Sequence, residues 1–180
     1  MNNHDYFGAL GLDRRLSLDT ADLQKRFYEQ SRKLHPDRFV AKPQAEQDAA
    51  LEASSVLNDA YRVLRDPVSR AEYLLKQEGF DIGEQRSKDV PPELLEEVFE
   101  LNMALEELRH GDEDARGSLD QAHSRFAAMR DAIDGELQAL FRAYDTVQDR
   151  AVLQQIRGAL NRRRYIRNLV NEVEKELAPK

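Results

Sequence analysis

The chain of 180 residues contains no cysteine, which excludes disulfides, thiolate metal sites, cysteine nucleophiles and cysteine-ligated clusters held by this chain alone. Long apolar runs are missing too: the longest stretch without a polar side chain, Tyr6 to Leu12, is far short of the roughly 20 residues a membrane span needs. The opening Met-Asn-Asn-His-Asp-Tyr lacks the basic start and apolar stretch of a secretory signal, so a cytoplasmic protein without membrane contact is expected. Glycine and proline are scarce, at 8 and 6, while Ala, Leu, Glu, Gln and Arg abound, a composition that starves sheets of turn residues and predicts an all-α fold. A net charge of −7 makes nucleic acid no default partner.

The few breakers mark the joints. Leu23, Phe27 and Leu34 share a face at helical spacing, with Thr20 placed to cap the start and Pro36 preventing continuation. A second helix over about 44–64 places Ala49, Ala53, Val56, Leu57, Ala60, Tyr61 and Leu64 on one stripe, so two antiparallel helices are predicted on either side of residues 36–43. A short helix over 6–10 precedes them and another, over about 67–77 with Pro67 in its first turn, follows. Residues 1–77 form one unit.

Residues 78–90, with Gly79 and Gly83, carry no apolar period and read as a linker. Beyond it, seams through Leu94, Val98, Leu101, Leu105 and Leu108, then Leu119, Ala122, Phe126, Met129, Ile133, Leu140, Tyr144 and Val147, then Val152, Ile156, Ala159, Ile166, Val170, Val173 and Leu177, predict an antiparallel three-helix bundle over 91–180.

His35-Pro36-Asp37 sits between the two long helices, and on its own it reads as a turn. The preceding helix presents Lys25, Arg26, Arg32 and Lys33 within about a third of its circumference, opposite Leu23, Phe27 and Leu34, with Glu29 diluting the patch. Clustered positive charge of this kind steers an acidic partner. Catalysis is not expected: there is no Gly-x-Ser-x-Gly elbow, and Pro36 between His35 and Asp37 is expected to hold their side chains apart. His4, His35, His110 and His123 are scattered, so no metal and no cofactor are expected.

The first helix of the bundle carries a second apolar strip. With its seam at zero, 100° per residue turns Leu95, Phe99 and Met103 away from the core, framed by Glu96, Glu106 and Glu107 with Glu100 at the edge. Apolar anchors inside a charged rim suit a partner surface. The last helix carries Arg157, Arg162, Arg163, Arg164 and Arg167 beside Tyr165, a pattern also found in RNA binders. The glutamate-rich helix over 91–108 offers the plainer account, charge matching across the bundle. Arg163 falls on the core seam, where it either snorkels or pairs with a glutamate.

Tyr6 and Leu10, the run Leu-His-Pro-Asp-Arg-Phe over 34–39, Leu-Asn-Asp-Ala-Tyr-Arg-Val-Leu-Arg-Asp-Pro over 57–67 and Arg-Ala-Glu-Tyr over 70–73 resemble the J-domain of DnaJ-type co-chaperones, across roughly residues 4–76. The resemblance implies that His35, Pro36 and Asp37 trigger ATP hydrolysis by a DnaK-class chaperone and that Lys25, Arg26, Arg32 and Lys33 dock on it. The Gly/Phe-rich tract and cysteine-rich zinc module of general DnaJ proteins are absent. Instead, residues 92–102, the Arg-Ala-Glu-Tyr-Leu-Leu ending and Gly79-Phe80 resemble the HscB co-chaperones, which deliver the iron-sulfur scaffold IscU to HscA. By that resemblance Leu95, Phe99, Glu100 and Glu107 contact the client with Tyr165 as the aromatic on the last helix, and the strip adds Met103. Two departures redistribute the contact chemistry: Glu96 stands where the family often has methionine, and Met103 where it often has glutamate. The absence of an N-terminal cysteine-rich zinc region is consistent with the bacterial type. The expected partners are an HscA/DnaK-class ATPase and an IscU-type scaffold, with neither nucleic acid nor membrane. A J-domain co-chaperone with a different client and a helical nucleic-acid-binding module are the alternatives.

Overall fold

Aspartate and proline decide where the helices of the N-terminal half begin. In the computed structural model, which describes residues 5–82 and 92–178, α1 spans Tyr6–Ala9, α2 Thr20–Lys33, α3 Gln44–Leu64 and α4 Pro67–Gln77. Asp19, rather than Thr20, caps α2: its carboxylate accepts the Ala21 and Asp22 N–H groups, the second and third orphan donors of the first turn. Asp66 does the same for α4, accepting the Ser69 N–H at 2.7 Å, while Pro67 takes the first helical position, where its missing N–H is no loss. α4 ends on Gly79 in the left-handed region (φ 75°), whose N–H donates to Lys76 O while the Phe80 N–H donates to Leu75 O. This Schellman closure uses residues expected to begin the linker, and Phe80 is buried. The rest of that linker, from residue 83, and His4 lie outside the described residues.

Among the described residues the chain is all-α, as its composition predicts. It divides into two compact units: Met1–Asp81 with Phe141–Asp149, and Ile82–Leu140 with Arg150–Lys180. In the first, α2 and α3 are antiparallel, since Phe27 stacks on Tyr61 at 4.3 Å whereas Leu34, two turns further along α2, lines a groove with Ala53 and Val56. α1 is tied to α4 by the stack of Tyr6 on Tyr73 (4.7 Å) and by the Tyr6 N–H donating to the Tyr73 hydroxyl (3.0 Å). Phe7, Leu10, Leu16, Leu23, Leu57, Leu64, Leu74 and Leu75 fill the interior. At the start of α3 the buried alanine is Ala50; the expected Ala49 is exposed. Arg70 is a buried cation among them, its Nη1 donating to Leu64 O at 2.7 Å.

The second unit holds α5 (Leu95–Arg109), entered through a 3-10 turn at Pro92–Leu94, most of α6 (Ala115–Val147), and α7 (Arg150–Leu177). Its helices alternate in direction: Glu100 pairs with Arg125, while His123 meets Glu174 and Asp134 meets Arg163. The drawn seams need correction where a straight helix drifts from a seven-residue repeat. Leu137 and Phe141 are buried on α6, Leu140 is only half-buried and Val147 is exposed. Ala104 joins α5's buried stripe while Leu108 is half-buried, and Leu153, Leu160 and Leu169 widen that of α7, where Val152 is half-buried. Arg163 pairs with an aspartate, Asp134, which its Nε and Nη2 grip as a fork.

Candidate functional site

α2 ends at Lys33 because the chain turns into Pro36, and the exposed loop that follows has its own internal order. His35 caps a 3-10 turn over Pro36–Arg38, its Nδ1 accepting the Asp37 N–H at 3.3 Å. That cap also leaves His35 Nδ1 3.4 Å from Asp37 Oδ2. The expectation that proline separates these side chains is therefore overturned: as the cap of the turn, His35 folds its ring back over the Asp37 N–H, which brings the Asp37 carboxylate alongside it. Gln47 of α3 steadies the far side, its Nε2 donating to Lys42 O at 2.9 Å. The Asp37 side chain remains 85% exposed, so its carboxylate is available to another molecule.

The basic face behind the loop is smaller than the sequence predicts. Lys25, Arg32 and Lys33 are exposed, with Arg32 and Lys33 in the last turn, where the carbonyl end of the helix favours cations. Arg26 is turned to internal use: its Nε donates to Asp22 Oδ2 (2.7 Å) and its Nη1 to Gly11 O (2.6 Å), fastening α2 to the turn after α1. Tyr28, missed from sequence, fills part of that face; it is exposed and lines a groove of about 360 Å³ with Gln24, Lys25 and Arg32. Its spacing of three from Lys25 and four from Arg32 is the signal that could have found it.

On α5 the exposed strip is present. Leu94, Val98, Leu101, Ala104 and Leu105 are buried, while Leu95, Phe99 and Met103 are 56%, 65% and 50% exposed, values that set them apart from the core. Met103, Glu100 and Glu107 line a groove of about 290 Å³ against α6, floored by Leu101, Ala104 and Phe126. Gln121 and Arg125 form its other wall and were not foreseen; they come from a second helix, beyond the reach of a single-helix wheel. Arg125 Nη1 donates to Glu100 Oε2 at 3.0 Å. Tyr165 is not among the residues lining this groove; it is half-buried on α7, its phenol pushed above the ordinary tyrosine value by burial and then by the charge of Glu172.

Part of the basic run on α7 is matched by acids of α6. Arg162 Nη2 lies 2.8 Å from both carboxylate oxygens of Glu136, and Arg163 grips Asp134. The expected matching thus involves α6, which supplies acids the α5 argument overlooked. Among the described residues no group of three or more His, Cys, Asp or Glu is placed to hold a metal, and no helix is long and apolar enough to cross a membrane.

Two families match the chain: the DnaJ domain over residues 5–73 and the HSCB C-terminal oligomerisation domain over residues 90–174. Among solved structures it is similar to the chaperone HscB from Vibrio cholerae, with 26% identity, 96% of each chain covered and a TM-score of 0.62. It is also similar to the human co-chaperone protein HscB, with 28% identity, 100% of this chain and 85% of that one covered and a TM-score of 0.69. The motif residues shared with J-domains now have two kinds of work: Tyr6, Tyr73, Asp66 and Arg70 build the frame, and the His35–Asp37 turn projects from it. With that frame in the first half and a matching helical C-terminal domain in the second, the chain belongs to the HscB-type J-domain co-chaperones.

Proposed function

We propose that this protein binds an IscU-type iron-sulfur scaffold and delivers it to an HscA/DnaK-class chaperone in the cytoplasm, stimulating that chaperone's ATPase for cluster assembly and transfer. It has no active site of its own; its chemistry is to activate a partner. Residues 1–77 are the J-domain, 78–90 the linker and 91–180 the client-binding domain. In this reading His35, Pro36 and Asp37 trigger hydrolysis, and Lys25, Arg32 and Lys33 steer docking, with Arg26 contributing from its tethered position. Leu95, Phe99, Met103, Glu100 and Glu107 receive the client, with Tyr165 as an additional aromatic contact.

The observation that carries this reading is the strip Leu95, Phe99 and Met103, three large apolar side chains exposed on a helix whose opposite stripe is buried. Their exposure has no use in the core of their own unit, and apolar anchors of this kind are where binding energy concentrates in protein interfaces. A chain holding both partners at once raises the effective concentration of client at the ATPase. The test is steady-state ATP turnover by an HscA-class chaperone with the full chain, with and without purified scaffold, beside calorimetric titration of the scaffold. Stimulation by the chain, raised further by scaffold, is the expected result. A chain that stimulates but does not bind the scaffold serves a different client, and one that does neither overturns the reading.

A further inference from the structure

The groove between α5 and α6 carries more carboxylate than its own cation neutralises. Glu97, Glu100 and Glu107 stand around it, and Arg125 is the guanidinium among its lining residues. The Arg125–Glu100 pair, at 3.0 Å, leaves both side chains about half exposed, at 50% and 56%. An exposed pair contributes little to holding two helices together, and the buried Leu101 and Phe126 beneath it already do so. What the pair does fix is the position of one carboxylate at the edge of the apolar strip. Met103 belongs to both surfaces, since it is exposed on the strip and lines the groove. A molecule seated on Leu95 and Phe99 therefore reaches the groove at Met103.

We propose that Arg125 is a positioning residue of the client surface: it holds the Glu100 carboxylate against the groove, and a client segment carrying a Lys or Arg beside an apolar side chain binds by displacing it. The inference rests on the client-binding reading of α5 and adds a residue from α6 to it. Three carboxylates facing one guanidinium select a cationic segment, and the apolar floor selects the side chain beside it. Arg125 acts as an intramolecular competitor. It keeps Glu100 from being an open charge that attracts any cation, and it yields to a segment that also fills the groove.

The experiment is titration of the full chain with purified IscU-type scaffold across a range of salt concentrations, using Arg125→Gln, Arg125→Lys, Glu100→Gln and the double variant Arg125→Gln/Glu100→Gln. Arg125→Gln is expected to tighten binding about two- to fivefold at low salt and to steepen the salt dependence. Arg125→Lys should stay near the native chain, and the Gln substitution should tighten binding distinctly less once Glu100 is neutral, since only Glu97 and Glu107 then remain to gain from it. Unchanged or weaker binding by Arg125→Gln, tightening as large without the Glu100 charge as with it, or an Arg125→Gln chain that melts early each overturn the role of Arg125. Leu95→Ala/Phe99→Ala separates the two levels: if it binds scaffold normally, the α5 reading itself fails, whereas its loss of binding beside an inert Arg125→Gln removes only the positioning role.

Discussion

The Asp145 carboxylate accepts the backbone N–H of Leu16 at 2.7 Å with one oxygen and that of Ser17 at 2.8 Å with the other. Asp145 is in the last turns of α6, and through this bond the turn before α2 and the Phe141–Asp149 segment become parts of one compact unit. The same carboxylate, with Asp66, opposes the burial that pulls the Arg70 guanidinium below its ordinary value. Asp145→Ala is therefore expected to cost about 1–3 kcal/mol, because it takes the acceptor from the Leu16 N–H, at a buried residue, and leaves a buried cation less compensated, while the exposed Ser17 N–H turns to water. In an Arg70→Met background part of that cost should disappear, a coupling of about 0.5–3 kcal/mol in denaturant titrations. Additive losses would show that Asp145 acts on the turn alone.

The two stripes of α5 should separate in a pair of double variants. Leu95→Ala/Phe99→Ala is expected to melt with the native chain, since exposed substitutions usually cost less than about 0.5 kcal/mol, and to weaken scaffold binding by more than about 2 kcal/mol. Val98→Ala/Leu101→Ala should instead destabilise the bundle by several kcal/mol, on the scale of roughly 2–5 for a large-to-small core change. Melting curves beside calorimetric titrations of each variant make the comparison. Early melting with normal binding by the first would return the strip to the fold.

Asp37→Asn should leave the melting curve unchanged and abolish ATPase stimulation, since its side chain is 85% exposed and contributes little to its own core. Stimulation that survives in the folded variant ends the trigger assignment.

Charge reversal divides the basic face in two. Lys25→Glu/Lys33→Glu is expected to slow association with the chaperone and flatten its salt dependence while stability holds. Arg26→Glu should also lower the melting temperature, because it discards the bonds to Asp22 and Gly11. Stopped-flow association rates and thermal scans on the same preparations show whether the two effects part.

Burial holds the phenols of Tyr73, Tyr144 and Tyr165 above the ordinary tyrosine value of 10.0, with nearby carboxylates adding to it: Asp5 for Tyr73, Glu78 for Tyr144 and Glu172 for Tyr165. Below about pH 10 these groups are neutral whether the chain is folded or not. Above it the unfolded chain ionises first, so stability is lost as the pH rises through the folded values. Tyr165→Phe, which removes one such group, is expected to lessen the alkaline loss measured by urea titration at rising pH. An alkaline slope unchanged by the variant would mean that Tyr165 ionises alike in both states.

Helix ends in the first half were legible because their determinants are local: Pro67 and Gly79 act on the backbone within a turn of themselves. What escaped the sequence was set across space. Arg26 shares a helix face with Lys25 and Arg32 on any wheel, but the Gly11 carbonyl that takes it out of the patch comes from a turn fifteen residues earlier. Phe141 was passed over because a seven-residue step from Ile133 to Leu140 skips the positions to which a 3.6-residue helix rotates. Arg125 and Asp134 lie on α6 and meet partners on other helices, so nothing in their own neighbourhood announced them.

The turn after α2 satisfies much of its backbone before any partner arrives: the Arg38 N–H donates to His35 O, that of Phe39 to Pro36 O and that of Asp37 to the imidazole. A segment already set in one shape surrenders little conformational freedom when it is gripped. It can therefore be recognised through a small, mostly polar contact that forms quickly and lets go quickly. For the trigger role proposed above, which has the loop fire once per nucleotide cycle and then vacate, brief residence is an advantage: stiffening the tip further should leave the encounter intact, whereas tightening the grip should stall the next round.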